Sequence, residues 1–247
     1  KFEQVVRHTR KLLLRFPKAI ELHNLCGAAN KAIGNIDLAI ENYNEAIKIK
    51  PDYAEALSNL GNALKEKGNY DQAINACNKA LSIIPNFAIA LNNKGTALES
   101  QGRLNEAIDC YYEAIKIKPS YATAHFNIAN VLIAQGKIEQ AVTFLANTLE
   151  FKPDFLEVYQ NLGVALKTAV ITKANPKLSN LIHELLTFKS LVRPIEISKA
   201  VIQLIKLEPI VQKMFQKMSV SKIKKLPLEV VSDLSEVPLL LKLMSVC

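Results

Sequence analysis

The chain has 247 residues, 49% hydrophobic and 22% charged, a composition that fits a folded globular protein and excludes a disordered one. Its formal net charge of +8 is uneven. Residues 1–166 carry 18 Lys/Arg against 17 Asp/Glu, and residues 167–247 carry 13 against 6, so long-range attraction to an acidic partner would belong to the C-terminal part.

No apolar run approaches the roughly 20 residues that span a bilayer. The longest, Val237–Cys247, is broken by Lys242, so no membrane partner is expected. The opening "KFEQVVRHTRKLLLRFP" is charged throughout and patterned as a helix rather than a secretory signal. Cys26, Cys77, Cys110 and Cys247 stand far apart, with no Cys-x-x-Cys pair and no His at ligand spacing. They read as free or buried thiols of a reducing compartment, and the expected location is cytoplasmic, with no metal and no cofactor.

In chain order, the first helix ends at Pro17, the first of five prolines spaced by 34 residues: Pro17, Pro51, Pro85, Pro119 and Pro153. Ten residues after each stands a small residue: Gly27, Gly61, Gly95, Ala129 and Gly163. Seventeen after stand Gly34, Gly68, Gly102 and Gly136, and twenty-two after stand Ala39, Ala73, Ala107 and Ala141. The Gly at seventeen ends a first helix in a left-handed turn. The small residues at ten and twenty-two are expected where two antiparallel helices press their backbones together. Pro ends the second helix, the polar residue after it (Asp52, Asn86, Ser120, Asp154) is expected to cap the next, and Tyr53, Phe87, Tyr121 and Phe155 wedge between units. Each unit is a helical hairpin that buries its apolar face only by stacking on neighbours.

These residues resemble the tetratricopeptide repeat. The resemblance covers about 1–168: a half repeat at 1–17, full repeats at 18–51, 52–85, 86–119 and 120–153, and a half repeat at 154–168. Departures are mild, Ala129 for Gly and Lys94 at a usually apolar place, where its stem can snorkel. The implied fold is all-α, a right-handed solenoid of hairpins.

At the fifth copy the Gly is due at 170, where Val stands, and the Ala at 175, where Asn stands; the array has stopped. Residues 169–247 remain helical in pattern, four or five helices that cap the open end of the solenoid. Pro194, Pro209 and Pro238 each precede an amphipathic run, and Ile195, Ile197, Ala200, Val201 and Leu204 form one apolar stripe. "LVRPIEISKAVIQLIKLEP" and "SDLSEVPLLLKLMSVC" resemble the helical segment of bacterial repeat proteins that end in a methyltransferase domain. That resemblance implies a substrate-recruiting region of a larger transferase, while no glycine-rich methyl-donor motif lies in this chain. Self-association through the C-terminal helices is a further possibility.

Catalysis finds little support. The histidines His8, His23, His125 and His183 are scattered, no Ser/His/Asp or Cys/His arrangement is visible, and His23 with His125 shares one repeat offset, which points to packing. The cluster "SKIKKLP" (221–227) is basic but lacks interleaved aromatics, which argues against nucleic acid.

One column does invite a ligand. Asn59, Asn93, Asn127 and Asn161 recur at 34-residue spacing inside first helices, where Asn is a poor helix former, with Asn62 and Asn130 one turn on. A side-chain amide offers an acceptor and two donors, so it can pair with a peptide backbone whatever the side chains are. The column resembles the asparagine ladder of O-linked N-acetylglucosamine transferases, which implies an extended partner segment held along a concave groove; Leu25 breaks it in the first full repeat. The family's other known groove, a basic clamp for chaperone C-termini, needs Lys and Arg where Glu21, Glu55 and Glu157 stand. The expected function is therefore a non-catalytic protein–protein interaction scaffold with a protein or peptide ligand. Replacing ladder residues by Ala is expected to leave stability nearly unchanged, since Ala is the better helix former.

Overall fold

The structure, a computed structural model, describes residues 2–167, 169–171, 173, 175–186 and 194–207. Among them are twelve α-helices and no strand. In order these are α1 (Phe2–Arg15), α2 (Ile20–Ala32), α3 (Ile36–Ile49), α4 (Ala54–Glu66), α5 (Tyr70–Ile83), α6 (Ala88–Ser100) and α7 (Leu104–Ile117). There follow α8 (Ala122–Ala134), α9 (Ile138–Phe151), α10 (Glu157–Leu166), α11 (Pro176–Leu185) and α12 (Pro194–Leu207). The chain forms two compact units, Lys1–Asn127 and Ile128–Cys247. The division falls inside α8.

In the first unit α2/α3, α4/α5 and α6/α7 are antiparallel hairpins, and α3 with α4, α5 with α6, and α4 with α6 pack across successive hairpins. Each hairpin turn places its Gly in the left-handed region: Gly34 at φ 83°, Gly68 at 85° and Gly102 at 76°. The helix end before it is closed by backbone bonds such as Asn69 N–H to Leu64 O at 2.9 Å, the Schellman pattern.

The small residues at offset ten do something other than expected. A Cβ on Gly27 would lie 2.6 Å from the Tyr43 ring, and one on Gly95 2.5 Å from the Tyr111 ring. At Gly61 it would lie 2.5 Å from Cys77 Sγ and 3.0 Å from the Ala73 carbonyl. Two of these three glycines therefore seat an aromatic ring, while at Gly61 the nearest atoms are the Cys77 sulfur and the Ala73 carbonyl. Tyr43 and Tyr111 are fully buried as a result.

The junctions also differ from expectation. Asp52 and Asn86 do not cap the helices that follow them: the N-cap positions are Tyr53 and Phe87, without a side-chain cap bond. The proline and polar residue instead form the middle of a turn, closed by Tyr53 N–H to Lys50 O at 3.1 Å and Tyr121 N–H to Lys118 O at 3.0 Å, with Pro at the position that favours its fixed φ. The turn brings its first and fourth residues together, so Lys50 lies over the Tyr53 ring at 5.7 Å and Lys118 over Tyr121 at 5.5 Å. Phe87 packs on Ala54, Leu57, Ala80 and Ala90, between repeats as expected.

In the second unit α9, α10 and α11 pack on one another and α10 contacts α12. Lys152 lies 4.1 Å over Phe155 at the same kind of turn. Where the repeat glycine is replaced by Ala129, the facing register position holds Leu145 rather than an aromatic ring. The helix after α10 begins at Pro176 instead of 172, the position 34 residues past the start of α9. It starts differently as well: Asn175 caps it through a side-chain bond from Leu178 N–H at 3.1 Å, with Pro176 at the first turn. Of the expected apolar stripe on α12, Ile197, Ala200, Val201 and Leu204 are buried. Pro209, the 221–227 cluster, Pro238, Cys247 and the other helices expected after α12 lie outside the described residues.

Candidate functional site

The asparagine column occupies the middle of the first helix in each hairpin. Asn59 Nδ2 donates to Asn24 Oδ1 on α2 at 3.0 Å. Asn93 Nδ2 donates to the Ser58 carbonyl at 3.2 Å and the Ser58 hydroxyl at 3.0 Å on α4. Asn127 Nδ2 donates to Asn92 Oδ1 on α6 at 3.0 Å. In each case the acceptor stands 35 residues earlier, one position before the column in the preceding hairpin. In the second unit Asn161 Nδ2 donates to Asn130 Oδ1 at 2.8 Å; the residue 35 before it is Phe126, which carries no side-chain acceptor.

This answers why an amide sits in mid-helix: it ties one first helix to the previous one. Sequence reasoning missed that role. The available signal was the acceptor column Asn24, Ser58 and Asn92, polar at the same period directly before the ladder. The expectation that Ala would be harmless is accordingly corrected, because each substitution removes a bond between repeats.

The members are not equivalent. Asn59, Asn62, Asn127, Asn130 and Asn161 are half-buried, and Asn59, Asn127 and Asn161 each make one hydrogen bond among the described residues. Their Oδ1 and second N–H remain available. Asn93 is only 8% exposed, and its Nδ2 serves two acceptors, which leaves it a structural tie.

One turn before the column stand Glu21, Glu55 and Glu157, all exposed in the first turns of their helices, where the helix dipole favours acids. Asn24 Nδ2 also donates to the Tyr53 hydroxyl at 3.4 Å. Burial raises the pKa of the Tyr53 phenol above its ordinary value, Glu55 and Glu21 add to the shift, and the Asn24 bond opposes it.

The remaining candidates read as packing. His23 and His125 place Nε2 2.9 Å from the Pro17 and Pro119 carbonyls, so the ring N–H of each donates across its own junction. Cys26 and Cys77 are buried and Cys110 is half-buried, all as free thiols. Burial pushes the Cys77 thiol up to about 12 despite Lys94 nearby, so it is a poor nucleophile. Among the described residues no group of three or more His, Cys, Asp or Glu is placed to hold a metal, and no helix is long and apolar enough to cross a membrane.

Family models described as TPR repeat match residues 27–68 and 95–136, and models described as tetratricopeptide repeat match 54–87 and 122–155. No curated protein matches the chain. The crystal structure of MamA is similar at 26% identity and TM-score 0.52, over 63% of this chain and 91% of that one. PilW, a type IV pilus biogenesis factor, matches at 18% identity and TM-score 0.65, over 81% and 90%. YrrB, titled a TPR protein with an unusual peptide-binding site, matches at 16% identity and TM-score 0.50, over 85% and 98%. At those identities PilW and YrrB share the fold alone. The methyltransferase resemblance of the C-terminal segment finds no support in these matches. Period, hairpins, glycine turns and family models all fall in one register, and the chain carries tetratricopeptide repeats, an all-α array of stacked helical hairpins.

Proposed function

We propose that the chain is a protein–protein interaction module that holds an extended segment of a partner against its first helices. One observation carries this: in the first unit Asn59 and Asn127 are half-buried and fixed by one amide N–H, and their amide oxygen and second N–H make no further hydrogen bond among the described residues. An amide oriented by its neighbour binds a peptide backbone with less loss of side-chain freedom than a loose one. First helices pack roughly 8–10 Å apart and an extended chain advances about 3.3 Å per residue, so one amide meets about every third peptide unit. The peptide-binding site named for YrrB, on the same fold, is consistent with this use of the repeats.

The test is fluorescence anisotropy with a panel of labelled extended peptides, comparing wild type with Asn59→Ala/Asn127→Ala at matched helicity. Backbone recognition predicts that the variant weakens every binding peptide by a similar factor, and that N-methylation of every third peptide amide abolishes binding. Unchanged affinities in both comparisons would refute it. No observation among the described residues favours a transferase-recruiting role or self-association through the C-terminal helices.

A further inference from the structure

The first-helix face of the first unit carries a second column beside the amides. Glu21, Glu55, Ile89 and Thr123 recur at 34-residue spacing, each four residues before Leu25, Asn59, Asn93 and Asn127, so both columns lie on one side of α2, α4, α6 and α8. Glu21 and Glu55 are exposed, and neither has an ion-pair partner among the described residues. Lys31 of α2 is paired with Glu66 of α4 at 2.8 Å. Leu25 is 49% and Ile89 47% exposed. Glu21 and Glu55 hold the same register position on α2 and α4, two helices that pack on one another and are tied by the Asn59–Asn24 bond.

Building on the extended-segment reading, we infer that the segment is basic. Lysine or arginine side chains spaced by three residues meet Glu21 and Glu55, and an apolar side chain three residues further meets Ile89. The spacing follows from the stack: a polyproline II segment returns to the same face every third residue after about 9 Å, close to the separation of packed helices. Two exposed carboxylates without an ion-pair partner attract a cationic ligand, and opposite charge steers its approach. The helix dipole explains an acid in a first turn. It does not explain why the acids stand beside the unfilled amides.

The experiment uses the full chain and three fluorescein-labelled peptides: Lys at two positions spaced by three with Leu three further on, the same peptide with Gln for both Lys, and the same with Glu. The expected order of affinity is Lys, Gln, Glu, with the Lys peptide about tenfold tighter than the Gln peptide at low salt and the preference shrinking as salt rises. Glu21→Gln/Glu55→Gln should erase the preference for the Lys peptide over the Gln peptide, whereas Asn59→Ala/Asn127→Ala should weaken the Lys and Gln peptides alike. Equal binding of the Lys and Gln peptides to wild type overturns the basic-ligand inference while the groove survives. So does a preference that persists in the double Gln variant, with the carboxylates then serving only their helices. Failure of all three peptides overturns both.

Discussion

An asparagine in mid-helix costs roughly half a kcal/mol relative to alanine, and here a bond to the previous repeat offsets that cost. The offset differs with burial, which gives an ordered prediction. Asn93→Ala leaves the Ser58 carbonyl without its side-chain donor in a nearly closed site and should destabilise the chain by about 1–3 kcal/mol. Asn59→Ala exposes its former partner to water and should cost about 1 kcal/mol or less; urea denaturation of both variants checks the order. Two buried acids add a pH signature. The Cys77 thiol rises from 9.0 to about 12 and the Tyr43 phenol from 10.0 to about 12, both chiefly through burial. The folded chain thus holds these protons where the unfolded chain has released them. Their contribution is complete below about pH 9 and is lost as pH rises toward 12. Melting temperatures from pH 8 to 11 should fall, and Cys77→Ala should delay the onset.

The hairpin is where sequence and structure can be compared most closely. The glycine turns were legible because a left-handed residue at fixed period has a local cause, and the prediction is correspondingly uniform. Gly68→Ala and Gly102→Ala meet nothing within 4 Å, so each should cost only the φ strain, about 1 kcal/mol, by chemical denaturation. Gly95→Ala fails for a different reason, since its methyl would overlap the Tyr111 ring; about 1–3 kcal/mol is expected. The chain itself indicates the rescue. Ala129 stands opposite Leu145 in register, so adding Tyr111→Leu to Gly95→Ala should recover part of the loss in the same denaturation assay. The capping role assigned to Asp52 and Asn86 failed because the N-cap positions fall one residue later, on Tyr53 and Phe87, and Asp52 sits inside a turn closed by Tyr53 N–H to Lys50 O.

At the scale of the molecule, a repeat array is held by nearest-neighbour contacts, so damage should stay local. In Gly95→Ala, hydrogen exchange should lose protection in α6 and α7 well before α2 and α3; uniform loss across the first unit would contradict this. The sequence by itself determined the helices, their 34-residue register, the turns and the column on which the amides stand. All of these follow from residue types acting on their own backbone or at a fixed short spacing. Only the tertiary structure decided that an aromatic ring covers Gly27 and Gly95, that Asn93 is closed in while Asn59 and Asn127 stay half open, and that the ladder ties repeats together before it can hold anything else. Those outcomes depend on groups 16 to 35 residues apart along the chain, whose meeting is set by how helices pack and by which neighbour offers an acceptor, and no local propensity encodes that.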